Sequence, residues 1–264
     1  VPEGDTVYAT ARRLHEALAG HALTVTDFRV PRHANADLRG RTVLEAVSRG
    51  KHLLVRVEGG FTVHTHLKME GVWRVSPAGP VPRYHKVRLV LGTSRSLAVG
   101  YSLGAVDLLR TAEEDRVVGH LGPDLLDEAW GPELAGRAVE RLAAQPERAV
   151  GEALLDQSRL AGIGNIYKAE ILFLRGVNPW TPVGSVPDLP GMVELSHRLL
   201  YANRLRHGHI TTGDTRPGRQ HYVYGRAGKP CRRCGTRVER ANQASEVGER
   251  ITFWCPRCQA VSTA

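Results

Sequence analysis

The chain has 264 residues, 42% of them hydrophobic, and a formal net charge of +9. That length gives room for two modest domains, and that apolar fraction fills a core without a stack of disulfides. No apolar run approaches the roughly 20 residues of a membrane span, and no basic-then-apolar leader opens the chain, so a cytoplasmic protein with no membrane partner is expected.

In chain order, Asp5 or Thr6 is placed to cap a helix that Gly20 ends, with Val7, Ala11, Leu14 and Leu18 on one face. Alternating segments follow at Leu23–Val30, Thr42–Val47, Lys51–Val57, Phe61–Leu67, Tyr84–Leu91 and Ser96–Tyr101. Their short spacing and Gly/Pro punctuation predict a β-sandwich or barrel. After about residue 111 the texture changes, and helical patterns appear at Pro132–Ala143, Arg148–Gln157, Asn165–Arg175 and Leu189–Arg206. From about residue 209 the chain is rich in Gly, Thr, Arg and His, and the 209–224 segment reads as a loop before a cysteine module.

The charge follows this division. Residues 1–122 carry 17 basic and 12 acidic side chains, residues 123–196 carry 6 and 11, and residues 197–264 carry 13 and 4. Two basic pieces on either side of an acidic one are suited to gripping a polyanion. Lysine supplies only five of the 36 basic residues.

All four cysteines lie after residue 230, as Cys231-x2-Cys234 and Cys255-x2-Cys258. A two-residue spacer turns both thiolates of a pair onto one ion, and four sulfurs satisfy tetrahedral Zn²⁺ with no position left for chemistry. Two disulfides are the alternative, disfavoured in a reducing compartment. Arg250 falls near the tip of the hairpin that the two pairs would fix. Upstream, Leu160-Ala161-Gly162-Ile163-Gly164-Asn165-Ile166-Tyr167 places two glycines before a helix start. This is either an ordinary helical hairpin or a phosphate site, since helix N-termini favour anions.

Taken in order, Pro2-Glu3-Gly4, Gly50-Lys51-His52, Leu160 to Asn165, and Gly225-Arg226 followed by Cys231, Arg250, Cys255-Pro256, Cys258 and Gln259 resemble the formamidopyrimidine-DNA glycosylase / endonuclease VIII family. The resemblance covers nearly the whole chain. His66-x-Lys68-Met69-Glu70-Gly71-Val72-Trp73-Arg74 and Tyr101-Ser102 bring it closer to the endonuclease VIII branch. The Asp-x-Arg-Arg-Phe-Gly segment of the purine branch is replaced by Gly104 to Leu109.

The resemblance implies an α+β, multidomain fold. A two-layered β-sandwich with the N-terminal helix would span residues 1–122, a helix–two-turn–helix domain 123–212, and a zinc ribbon with its preceding loop 213–264. It implies a monomeric base-excision repair enzyme, a DNA glycosylase and AP lyase, with damaged DNA as partner and one structural Zn²⁺ on Cys231, Cys234, Cys255 and Cys258. Pro2 would be the amine nucleophile, Glu3 its proton shuttle, Lys51 a proton donor and phosphate contact, and Arg250 a clamp on the lesion phosphate. Lys68, Met69 and Glu70 would fill the gap left by a flipped base, although Glu70 departs from the expected apolar character. Asn165 would bind phosphate, and His120 would stand where endonuclease VIII has a DNA-binding arginine. The 209–224 loop would lie near the flipped base. Val1 precedes Pro2. The expectation is a GUG start whose residue is removed, because an acylated proline nitrogen is no nucleophile. A retained residue would leave an inactive protein that still binds DNA.

Overall fold

The computed structural model describes residues 2–206, 208–245 and 248–260. The chain divides into two compact units, Val1–His120 and Leu121–Ala264.

The first unit opens with helix α1 (Gly4–Leu18), whose Val7, Ala11, Leu14 and Leu18 are buried as their spacing predicts. Its N-cap is Glu3 rather than Asp5 or Thr6. Asp5 instead turns back to accept the Thr6 N–H at 2.7 Å. Eight strands follow: β1 (Val25–Phe28), β2 (Val43–Arg49), β3 (His52–Val57), β4 (Phe61–His66), β5 (Val72–Pro77), β6 (Val87–Gly92), β7 (Ser96–Tyr101) and β8 (Ala105–Arg110). They form two antiparallel four-stranded sheets, ordered β1-β6-β7-β5 and β2-β3-β4-β8. Leu53, Val55 and Val57 from one sheet and Trp73, Leu89, Leu91 and Ala98 from the other meet α1 in one core. Alternation along each strand puts these side chains on a single face. The buried Trp73 indole donates to Thr65 Oγ1 at 3.3 Å, so the polar atom of the largest core side chain is satisfied. Strands β5 and β8 were not evident as alternating segments, because β5 is an edge strand with five exposed residues and β8 is mostly half-buried.

The second unit contains α3 (Pro132–Ala143), α4 (Val150–Ala153), α5 (Asn165–Arg175), α6 (Leu189–Asn203) and a hairpin of β9 (Glu239–Ser245) with β10 (Gly248–Trp254). The short α2 (Asp115–Val118) ends the first unit. Helix α5 matches its expected bounds and ends on Gly176 in the left-handed conformation. The pattern at Arg148–Gln157 yields only the four-residue α4. Beyond it Asp156 accepts the Ser158 N–H at 2.9 Å and pairs with Arg148 at 2.6 Å, turning the chain out of the helix. No described helix is long and apolar enough to cross a membrane.

Candidate active and DNA-binding sites

In the first unit Pro2 is half-buried and Glu3 is fully buried at the start of α1. Lys51 lies on the two-residue turn joining β2 to β3, where Arg49 pairs with His52. Gly50 takes φ 56° there, which lets a two-residue hairpin close with its natural twist and projects Lys51 at the tip. Lys68, Met69 and Glu70 are all exposed on the turn from β4 to β5. Lys68 itself has φ 54°, unusual for a residue with a side chain. It is held by donating its N–H to His66 Nδ1 at 2.9 Å. Its side chain lies over Gly104, where a Cβ would stand 2.1 Å from Lys68 Cγ.

Between Lys51 and Lys68 runs a histidine cluster that motif reading left without a role. Asp107 Oδ2 lies 3.2 Å from His64 Nδ1, and His64 Nε2 lies 2.9 Å from His52 Nδ1. A carboxylate only accepts, so it places the His64 proton on Nδ1 and leaves Nε2 to accept from His52. His33 is also within 3.9 Å of Asp107, but its Nε2 already accepts the Leu108 N–H. The His52 ring meets His66 and His120 edge-on, with centroids 4.9 and 5.9 Å away. Burial, then the neighbouring His66 and His64, pushes His52 down to about 3. Burial, then the charges of Lys68 and Lys51, pushes His66 down to about 4. Burial lowers His64 as well, so His52, His64 and His66 are neutral at physiological pH. The available signal was His52, His64 and His66 on adjoining strands, but pairing them requires the β3–β4 register.

In the second unit Asn165 is the first residue of α5 and donates from Nδ2 to the Ile251 carbonyl at 2.8 Å. Gln157 staples the preceding turn by accepting the Gly162 N–H at 3.1 Å and donating to the Ile163 carbonyl at 3.0 Å. Two further side chains of α5, both fully buried, hold the rest of the unit. Lys168 Nζ donates to Thr252 Oγ1 of the hairpin at 2.6 Å. Glu170 accepts the N–H groups of Tyr222, Val223 and Tyr224 at 2.7–2.8 Å, and the Thr211 hydroxyl as well. The 209–224 segment forms no described helix or strand, and Glu170 pins both its ends. Half-buried Arg250 pairs across the hairpin with Gln243.

The four cysteine sulfurs lie within 4.8 Å of one another, with pairs at 3.5 and 3.9 Å. Tetrahedral zinc at ~2.3 Å from each sulfur requires separations of about 3.8 Å. Each Cys-x2-Cys turn also points backbone N–H groups at sulfur, Arg233 to Cys231 at 3.4 Å and Cys258 to Cys255 at 3.5 Å. Such bonds stabilise thiolate charge. The donor set fits one structural Zn²⁺ with no open position.

Three family models match the chain: the formamidopyrimidine-DNA glycosylase N-terminal domain over residues 1–101, its H2TH domain over 121–188, and the zinc finger found in FPG and IleRS over 228–261. A relative in Streptomyces coelicolor, "Probable endonuclease 8 2", is 56% identical across 98% of this chain and 94% of its own length. The chain belongs to the formamidopyrimidine-DNA glycosylase / endonuclease VIII family. A second member, "DNA-(apurinic or apyrimidinic site) lyase Nei2" of Mycolicibacterium smegmatis, is 47% identical over 99% of this chain and all of its own. The family fold is matched too. The Lactococcus lactis Fpg structure described as a complex with an abasic site containing DNA superposes with a TM-score of 0.80 at 22% identity, covering 98% of this chain and 100% of that one.

Proposed function

We propose that the chain is a bifunctional DNA glycosylase and AP lyase of base excision repair, acting as a monomer on damaged DNA and favouring oxidised pyrimidines. The observation that carries this reading is Glu3, a fully buried carboxylate directly after Pro2 at the mouth of α1. Its position suits proton transfer beside an amine. The sequence divisions 1–122, 123–212 and 213–264 would then carry catalysis, backbone grip and the ribbon.

The steps follow from the residues. A free α-amine has a pKa near 8, well below lysine's ~10.4, so more of it is unprotonated at neutral pH. Pro2 nitrogen attacks C1′ as the glycosidic bond breaks, and the base leaves with a proton. Glu3 hands a proton to the ring oxygen as the sugar opens. The resulting iminium is cationic without further protonation, and it acidifies C2′ so that the 3′-phosphate departs, followed by the 5′-phosphate. Water then releases Pro2. Lys51 serves as proton donor and phosphate contact, Arg250 and Asn165 as phosphate contacts, and Lys68, Met69 and Glu70 fill the vacated stack. His120, exposed at the end of the first unit, stands in place of an arginine as a shorter DNA contact.

Borohydride treatment with a lesion oligonucleotide tests this. Protein whose mass shows Pro2 at its N-terminus should give a covalent adduct through that nitrogen, and protein retaining Val1 should bind without one. Glu3→Gln should lose base excision yet still cleave a pre-formed abasic site, whose aldehyde needs no excision. Efficient trapping by protein that retains a residue before Pro2 would exclude Pro2 as nucleophile.

A further inference from the structure

One end of the β1-β6-β7-β5 sheet gathers three segments: the Lys68–Gly71 turn entering β5, Tyr84–Lys86 entering β6, and Tyr101–Ser102 leaving β7. The register aligns them, since Val72 and Val87 both pair with Tyr101, and the Ser102 N–H donates to the Lys86 carbonyl at 2.8 Å. Among the described residues, the two non-glycines with positive φ, Lys68 at 54° and Ser102 at 47°, both sit here. Such backbone persists only where its surroundings hold it, and it gathers at functional sites. Because Lys68 lies over Gly104, the turn and the end of β7 form one mechanical piece.

The surface of that piece is aromatic and cationic. Tyr84 is 45% exposed, and its ring lies 6.3 Å from that of Tyr101, tilted by 51°. The Arg74 guanidinium stands over Tyr101 at 5.4 Å. Arg83 and Lys86 flank Tyr84, both exposed, and Glu70 is the one acid in these segments. Tyr101 is half-buried beneath this surface, packed on the Val87, Val90, Leu97 and Val99 cluster, and leaves Tyr84 as the exposed ring. An exposed ring backed by a second ring and set among cations is an arrangement that stacks bases of a polyanion.

We propose that Tyr84 and Tyr101 form a stacking surface for the nucleobase left unpaired in the strand opposite a flipped nucleotide. This rests on the reading of the chain as a DNA glycosylase with Lys68, Met69 and Glu70 as its wedge. Once a nucleotide is extruded, its partner is the unpaired base remaining beside the wedge. The surface locked to the wedge turn is placed to receive that base.

The test compares one lesion in a duplex and in a single strand, which has no partner base. Tyr84 is exposed, so Tyr84→Ala should fold. The ratio of duplex to single-strand affinity should fall roughly ten-fold in this variant, the loss of about one stacking contact. Tyr84→Phe should keep the wild-type ratio. 2-Aminopurine placed opposite a stable abasic analogue should be quenched by wild-type protein and brighter with Tyr84→Ala. An unchanged ratio with equal 2-aminopurine emission, in protein that still traps on the lesion, overturns the stacking surface alone. A Phe variant as impaired as the Ala variant overturns it too. Wild-type protein that neither binds nor traps on either substrate overturns the functional reading itself.

Discussion

In the second unit one helix organises the candidate site. Asn165 at the start of α5 holds Ile251, Lys168 one turn on holds Thr252, and Glu170 holds residues 222–224. The ribbon's apolar side packs on the same helix through Phe173, Val223 and Cys255. In the first unit no element plays this part. Glu3 stands at a helix start, Lys51 on one hairpin tip, Lys68 on another turn, and Asp107, His64 and His52 on three adjoining strands. The second unit thus fixes its groups by anchoring several segments to a rigid rod and a metal. The first fixes them by sheet register and by two strained turn residues. The anchored scaffold of the second unit fails as a block when an anchor goes, whereas the sheet scaffold of the first unit tolerates loss of single groups but depends on keeping its buried histidines neutral.

The largest effect expected is removal of the metal. Structural zinc contributes on the order of 10 kcal/mol to the folding of the part it holds. Cys255→Ser should release zinc, free β9 and β10 to exchange amide hydrogens, and abolish lesion processing, while β1–β8 keep their protection. Metal content with hydrogen exchange resolved by peptide measures both. Equal loss of protection in the first unit would show that the two scaffolds are not independent in this way.

The same contrast explains what is legible in the sequence. The groups of the second unit are close in sequence: Gly162 to Asn165 is one motif, and each cysteine pair is another, so spacing alone brought them forward. Lys168 and Glu170 did not stand out, because a charged residue on a helix normally faces water and only packing reveals that both are buried. In the first unit Glu3, Lys51 and Lys68 were recognisable only as members of an ordered set. His52, His64 and Asp107 lie 12 and 43 residues apart along their hydrogen-bonded chain, and no local pattern links them. The apolar face of helix α1 shows in its spacing, but its cap does not, since the capping residue is the buried Glu3 and makes no side-chain cap bond.

Acid should distinguish the units next. Burial holds His52, His64 and His66 below the ordinary 6.5, against His221 in the second unit. The unfolded chain then binds these protons more readily than the folded one. The stabilisation is complete above pH 6.5 and is lost as pH falls toward 4. Between pH 7 and 5 His52 alone should contribute about 2 kcal/mol of this loss. The lowered carboxylate of Glu114 does not titrate in this window, since it stays ionised to below 4.5. Urea unfolding of wild-type protein and of His52→Gln at both pH values measures the effect. The drop should be smaller in the variant by roughly that amount, and an unchanged drop would place the acid sensitivity elsewhere.

The smallest expected effect bears most directly on why the first unit is built as it is. Lys68 occupies the left-handed region at φ 54°, which costs a residue bearing a Cβ roughly 1–2 kcal/mol. Glycine there removes that strain but gives the unfolded chain more freedom, worth ~0.5–1 kcal/mol in the opposite direction. It also loses the side chain's packing over Gly104. The backbone N–H that His66 Nδ1 accepts is retained. Lys68→Gly should therefore leave stability unchanged or raise it by up to ~1 kcal/mol, read as an upward shift of the urea midpoint, while weakening affinity for a lesion duplex. Gain or neutrality in stability together with loss of binding is what strain kept for function predicts. If Lys68→Gly instead destabilises the unit and leaves duplex affinity intact, the lysine is there for packing. The turn would then be a structural joint between β4 and β5 rather than the part that enters the stack.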